Sequence, residues 1–481
     1  MEKAWTLPPP SPTNGLTRLS VASARPRRLQ SWLPLLRPRP LPESAEVLAR
    51  LLDELARLRI DHRRRYQLLE LCRPHAGVLI ERLQSQCLNL PLASPESGLQ
   101  AAALAHRLGE HLARGYQQVA GSLLRRQQTA GTALASALQR ACDALAQRLY
   151  LHFLLATAPE PELWARLHRL YAVAEQAAVE KVVVGDDSTP DGTASTHRVY
   201  ARLLLLASAQ PNQLSPPSLL ALRRASAHWV TWPELSTQPG DALFLIDLDR
   251  DAPPRPVSAG PAGCRRYFDT RPLATALGED RAGQGGLLSE PLLQHLRWAW
   301  FGPRQRQFAR RPDTGELLLC LGLSSVHDQL GRHTDEDGPH RARCIDSGAG
   351  GHCLQWLGRV PETLRTGGLL ALRDPRGGGW RAAQIRWVRR APPRVRFGVE
   401  LLPESTRAVR VSHHGEAAPE PALLLPAPTA IDSATLLVDG ARYRSGACVT
   451  LWDQTPRHAC LGLRLAGSSE VGHYTLRETA G

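Results

Sequence analysis

Lysine is almost missing from this chain. Only Lys3 and Lys181 occur, so nearly all of the 59 basic residues are arginine, and together they give 481 residues a formal net charge of +14. A nucleic-acid surface usually mixes the two cations in patches. Near-total replacement of Lys by Arg over a whole chain is read first as coding preference, and overall basicity as a statement about solubility. Paired cysteines are missing too: Cys72, Cys87, Cys142, Cys264, Cys320, Cys344, Cys353, Cys448 and Cys460 stand singly, with no C-x-x-C. That excludes a zinc ribbon or a disulfide framework and points to a reducing compartment. No apolar run approaches the roughly 20 residues that span a bilayer. The opening residues lack the charged start and apolar core of a secretory signal, so a cytoplasmic protein with no membrane span is expected. There is no G-x-x-x-x-G-K-S/T loop and no nucleophile elbow with triad partners at a recognisable spacing. Nor do aromatic and basic residues interleave as in a nucleic-acid platform. The expectation is a protein that is not an enzyme, with no specific nucleic-acid partner.

What is present falls into two textures. Residues 1–42 are rich in Pro, Ser and Arg and read as a flexible or extended arm. From 43 to 240 apolar residues recur at three and four positions, as in Val47, Leu48, Leu51, Leu52, Leu55 and Leu58, which places them on one face of a helix. The same period returns at 66–86, 98–120, 123–156, 162–182, 196–208 and 215–229. The polar loop 185–195, GDDSTPDGTAS, is a candidate break inside this helical domain. Residues 241–300 read as a connecting α/β segment. Beyond them short apolar runs at 316–323, 353–357, 368–372, 380–389 and 395–402 are punctuated by Gly and Pro, as in a small antiparallel barrel spanning 301–405. A linker at 406–428 and a C-terminal β-rich segment at 429–481 follow. The fold class is multidomain, α then β.

One constellation carries chemistry. Residues 304–311, RQRQFARR, hold Arg306 and Arg310 four apart, with Arg311 next to them. Each guanidinium offers a fork of donors that fits a phosphate bidentately, matches O6 and N7 of guanine, and can stack on a base. The spacing alone is weak, because on the order of half a dozen such pairs arise by chance in a chain so rich in arginine. Context comes from 343–354, RCIDSGAGGHCL, where an acidic residue ends a strand and small residues make a turn that a ligand can approach closely.

Together these features resemble the PilZ domain, which carries R-x-x-x-R before its first barrel strand and a D/N-x-S-x-x-G turn later. Asp346 and Gly351 match the ends of that turn, while Gly348 stands in the place of its Ser beside Ser347. A one-residue slip would align Ser347 and Gly350 but put Ile345 in the acidic place, so the register that keeps Asp346 is adopted. The run RFGVELL at 396–402 matches the closing hairpin of the family. The resemblance implies cyclic di-GMP as ligand, held by Arg306, Arg310, Arg311, Asp346, Ser347, Gly348 and Gly351, with no cofactor. Loss of the hydroxyl at 348 implies weaker binding by about 1 kcal/mol. The order of helical half, barrel and β-rich tail is similar to FimW-type receptors of type IV pilus regulation, which implies a protein partner for the helical region and a role in pilus-dependent surface motility. The alternative is a helical scaffold whose degenerate PilZ domain no longer binds nucleotide.

Other signals have blander readings. The stretch 324–340 is longer than the usual spacer and, being polar, is expected as a surface insertion. Its His327, His333 and His340, near Asp335, Glu336 and Asp337, fit no standard zinc spacing. Ser412, His413 and His414 read as a solvated loop. Trp380 and Trp387 are expected in the barrel core. The repeated spacings Arg386, Arg390 and Arg394 are given no role.

Overall fold

The computed structural model describes the chain except for residues 1–3, 9–14, 89–95, 129–130, 188, 232, 259–262, 280–287, 302–308, 333–339, 392–393, 414–417, 428–432, 454, 468–470 and 479–481. Helices at Leu41–Arg57, His62–Cys87, Glu96–Arg125, Thr132–Leu154, Leu163–Gln176, Thr196–Ser208 and Pro216–Ser226 build the N-terminal half. The leucine stripe drives them together, with Leu48, Leu51, Leu52 and Leu55 fully buried. Local chemistry sets their starts: Asp61 accepts the N–H groups of Arg63 and Arg64 at 2.9 and 3.0 Å, and Ser195 and Ser215 cap two later helices. No helix among the described residues is long and apolar enough to cross a membrane.

Two segments read as loose from sequence are built into this core. In the expected arm, Pro26–Trp32 is helical, Leu29, Leu33 and Leu36 are buried, and Leu16 pairs with Leu58. A short helix that begins with Pro needs no N–H at its first turn, so composition alone hid it. The polar loop at 185–195 is a clasp and no break. Its Asp186 reaches inward and accepts from Arg73 (2.9 Å), Gln139 (3.0 Å) and Arg140 (3.0 Å), tying two long helices together. The segment 241–300 also joins this core, through a four-stranded sheet and the helices Arg271–Gly278 and Glu290–Phe301. Buried Trp300 meets Trp229 edge-on at 6.0 Å and donates to Ser208 at 3.0 Å.

Six strands, Glu316–Leu321, His340–Gly348, Gly351–Leu357, Leu369–Arg373, Arg381–Ala391 and Arg394–Leu401, then pair antiparallel in a closed ring. Leu319, Leu354, Trp356, Leu370, Ile385, Phe397 and Val399 fill the interior. Neither Trp expected there contributes. Trp380 packs between the two barrels under the Arg373 guanidinium, and Trp387 lies outside, over Gly398.

The 406–428 stretch is no simple linker. Arg407–His413 and Glu420–Leu425 are the first two strands of a second closed six-stranded barrel, completed by Thr435–Asp439, Cys448–Trp452, Pro456–Gly467 and Val471–Glu478. Pro419 and Pro421 concealed a strand whose core side chains follow them. The supposed surface insertion is the helix Leu323–Arg332, whose Val326 is fully buried with Leu318, Leu423, Leu425 and Leu437 between the barrels. The first barrel also docks on the helices. The strand Arg381–Ala391 packs against Pro211–Gln213, and its Arg390 N–H donates to the Ala156 carbonyl at 2.7 Å.

Because the Arg140 side chain is only 4% exposed and Asp186 only 1%, removing the carboxylate leaves a buried cation with the longer 3.4 Å contact to Glu70 as its remaining acidic partner among the described residues. Asp186→Ala should cost about 3–5 kcal/mol of stability, read by thermal denaturation of the full chain. A loss under about 1 kcal/mol would mean that the clasp is not structural.

Candidate functional site

The site lies where the incoming chain crosses the first barrel. Arg311–Pro312 pairs with the end of His340–Gly348, setting Arg311 opposite Ser347 and Pro312 opposite Asp346. That register carries Arg310 to Asp346, Nη1 to Oδ1 2.5 Å, and both side chains stay partly exposed. An exposed pair of this kind contributes only about 0–1 kcal/mol. A ligand phosphate that takes two parallel bonds from the guanidinium, where Asp346 takes one, can therefore displace the carboxylate.

The other expected residues divide. Arg306 and its neighbours at 302–308 lie outside the described residues, as do His333, Asp335, Glu336, Asp337 and His414. Arg311 is exposed. Ser347 faces Asp313 and not the arginine: the Gly315 N–H at 2.9 Å, with the Ser347 hydroxyl adding to it, holds the Asp313 carboxyl below its ordinary range. Gly348 lies beneath the incoming chain, where a Cβ would come within 2.7 Å of the Ala309 carbonyl oxygen. Gly351 has no room for a side chain, since its Cβ would meet the Val399 carbonyl oxygen at 2.0 Å. Among the bland readings, His327 bonds its neighbour Asp328, His340 packs on Trp356, and His413 stacks on Tyr443 at 4.6 Å.

Pairing extends the site into a row across the outer face. Trp387 is opposite Gly398, Gly398 opposite Cys353, Cys353 opposite Asp346, and Asp346 opposite Pro312. Register shifts at 385–387 and 353–354 put bulges in this row, and bulges re-aim side chains. Gly398 lets the Trp387 indole lie flat on the strand, for a Cβ there would meet Nε1 at 2.1 Å. His352 adds a polar atom. Burial, then repulsion from Arg310, pushes its pKa down, and its buried Nδ1 has no hydrogen-bond partner among the described residues. Sequence reasoning missed Trp387, Gly398 and His352. The only signal was Gly398 inside GVEL, the mark of a close approach in a strand.

With this geometry in place the comparisons are specific. Residues 27–239 match the family model described as the N-terminal domain of the cyclic-di-GMP receptor FimW, and residues 243–335 and 328–407 match its middle PilZ domain. The chain belongs to the FimW family. A relative from Pseudomonas aeruginosa, "Cyclic-di-GMP receptor FimW", is 28% identical over an alignment covering 97% of this chain and 92% of the relative. The two segments that match the middle PilZ domain overlap at 328–335, within the stretch that is longer than the usual PilZ spacer. The six-stranded ring is thus the PilZ barrel, and the second barrel extends past the PilZ match.

Closure of that barrel at Gly351 is testable. Gly351→Ala forces backbone against backbone and should destabilise the chain by about 1–3 kcal/mol, measured by urea unfolding, with early loss of the barrel. An unchanged midpoint would show that the turn accommodates a methyl group.

Proposed function

We propose that the chain is a receptor for cyclic di-GMP that binds the messenger on the outer face of its PilZ barrel. The observation that carries this is the Arg310–Asp346 pair, set at one end of a row whose other end is the Trp387 ring. In this reading Arg310 leaves Asp346 for a phosphate, and Arg306, four residues earlier, closes on the other side. Asp346 then accepts from the donor edge of a guanine, and the second base lies against Trp387, as bases do on aromatic platforms. No step here is catalytic.

Binding would reach the helices by two routes. The arginines lie in the segment between the helix Glu290–Phe301 and the barrel, so a clamped ligand fixes the angle at which the chain enters. The hairpin that carries Trp387 also holds the Arg390–Ala156 contact. A ligand shifts such an arrangement only by its difference in affinity for the two states. The helical region is the proposed output surface for a protein partner in the cytoplasm, within type IV pilus-dependent surface motility.

Calorimetry on the full chain should give micromolar or tighter binding of cyclic di-GMP and none of GMP. Arg310→Ala should abolish it, and Trp387→Ala should weaken it about tenfold, the scale of one lost base stack. Arg407→Ala is the charge control, since Arg407 pairs with Asp453 in the second barrel, and it should bind normally. Equal losses in the two arginine variants would indicate general basicity, and silence with cyclic di-GMP would refute the proposal.

The second reading, a scaffold with a non-binding barrel, has one observation in its favour: the Ala309 carbonyl occupies the space over Gly348 where the family has a serine. Gly348→Ser would push the incoming chain off the turn and restore a hydroxyl. Cyclic di-GMP should then bind about fivefold more tightly, the worth of one hydrogen bond. Weaker binding would mean that the Ala309 contact belongs to the bound state.

A further inference from the structure

We propose a zinc-type divalent-metal site in the helical region, formed by His106 of the helix Glu96–Arg125, His152 of the helix Thr132–Leu154, and Glu160 of the loop that follows. The three donor groups lie within 4.8 Å of one another. Nε2 of His152 is 3.4 Å from Oε2 of Glu160, and Nδ1 of His106 is 3.9 Å from Oε1. Donors bound at about 2.0–2.1 Å to one tetrahedral ion stand about 3.3 Å apart, so small side-chain shifts bring all three onto a shared centre. The two rings already face each other, with centroids 4.4 Å apart.

Both nitrogens are buried: Nδ1 of His106 has no hydrogen-bond partner among the described residues, and Nε2 of His152 has only the long 3.4 Å contact to Glu160. Buried polar atoms are ordinarily satisfied, and a pair left open toward one carboxylate calls for an explanation.

The surroundings orient these groups as a metal's outer shell does. Nδ1 of His152 lies 2.8 Å from the Thr157 hydroxyl. With that nitrogen carrying the proton, Nε2 presents its lone pair to the site. Arg148 donates to Oε2 of Glu160 at 2.8 Å, leaving Oε1 to face His106. The Arg148 charge is shared with Glu110, which also accepts from Arg166 at 2.8 and 3.0 Å, so the guanidinium opposes the ion less than a free one would. Two imidazoles and one carboxylate suit Zn²⁺ better than Ca²⁺ or Mg²⁺, which prefer all-oxygen sets. The partly exposed Glu160 side leaves a fourth position for water.

Position gives the site a consequence. Thr157, which orients His152, follows Ala156, whose carbonyl receives the Arg390 N–H of the PilZ barrel. A metal here braces the loop on which the barrel docks.

The test uses the untagged full chain carrying Cys448→Ser and Cys460→Ser, because those thiols, 3.1 Å apart and partly accessible, would compete. Zn²⁺ is titrated against a chromophoric chelator, and Co²⁺ reports coordination by its visible spectrum. The expected result is one equivalent bound, a four-coordinate Co²⁺ spectrum and a melting temperature raised by Zn²⁺. His106→Asn and Glu160→Gln, each with an unchanged far-UV circular dichroism spectrum, should bind at least tenfold more weakly. Absence of binding at millimolar Zn²⁺, or equal affinity in both variants and their parent, overturns the proposal.

Discussion

The architecture of the barrel half rests on one close approach: the backbone at Gly351 lies so near the Val399 carbonyl that no side chain fits between them. That contact lets Gly351–Leu357 pair on both edges, with His340–Gly348 on one side and Arg394–Leu401 on the other, and so closes the ring. Closure removes free edges from the sheet. It also determines where the Asp346 turn points, and with it the partner that Arg310 meets. The row from Trp387 to Pro312 is a product of strand pairing before it is a set of residues.

A similar economy holds in the helical half, where one buried carboxylate, Asp186, gathers Arg73 from one helix and Gln139 and Arg140 from another. Buried charge is tolerated because every partner is supplied. The two halves meet along the strand Arg381–Ala391. Its bulge aims Trp387 outward over Gly398, and its far end carries the Arg390 contact to Ala156. The hairpin that carries Trp387 therefore also carries the backbone contact to the helical half.

Much of this was legible in the residues. The leucine period marked the long helices, and Gly and Pro marked most barrel strands, because amphipathic spacing and turn chemistry are local. Motif order assigned Arg310 and Asp346 to one ligand site; the fold brings the two together as a direct ion pair, which motif order did not show. Three misreadings share one cause. The arm at 1–42, the linker at 406–428 and the insertion at 324–340 looked loose by composition, yet Leu29, Leu423 and Val326 are each fully buried. Proline and polar residues nearby outweighed a few well-placed apolar side chains whose partners are distant in the chain.

What the sequence by itself determined is the class of each half and the identity of the charged groups at the turn, since periodicity, helix caps and turn glycines act over a few residues. What only the tertiary structure decided is which groups face one another. Ser347 turns to Asp313 and leaves Asp346 to Arg310, Trp387 lies on Gly398 outside the barrel, and His106 meets His152 and Glu160 across two helices and a loop. Strand register and helix packing set those encounters. A shift of one residue in strand register would turn its side chains to the opposite face, and one in a helix would swing its side chains by about 100°.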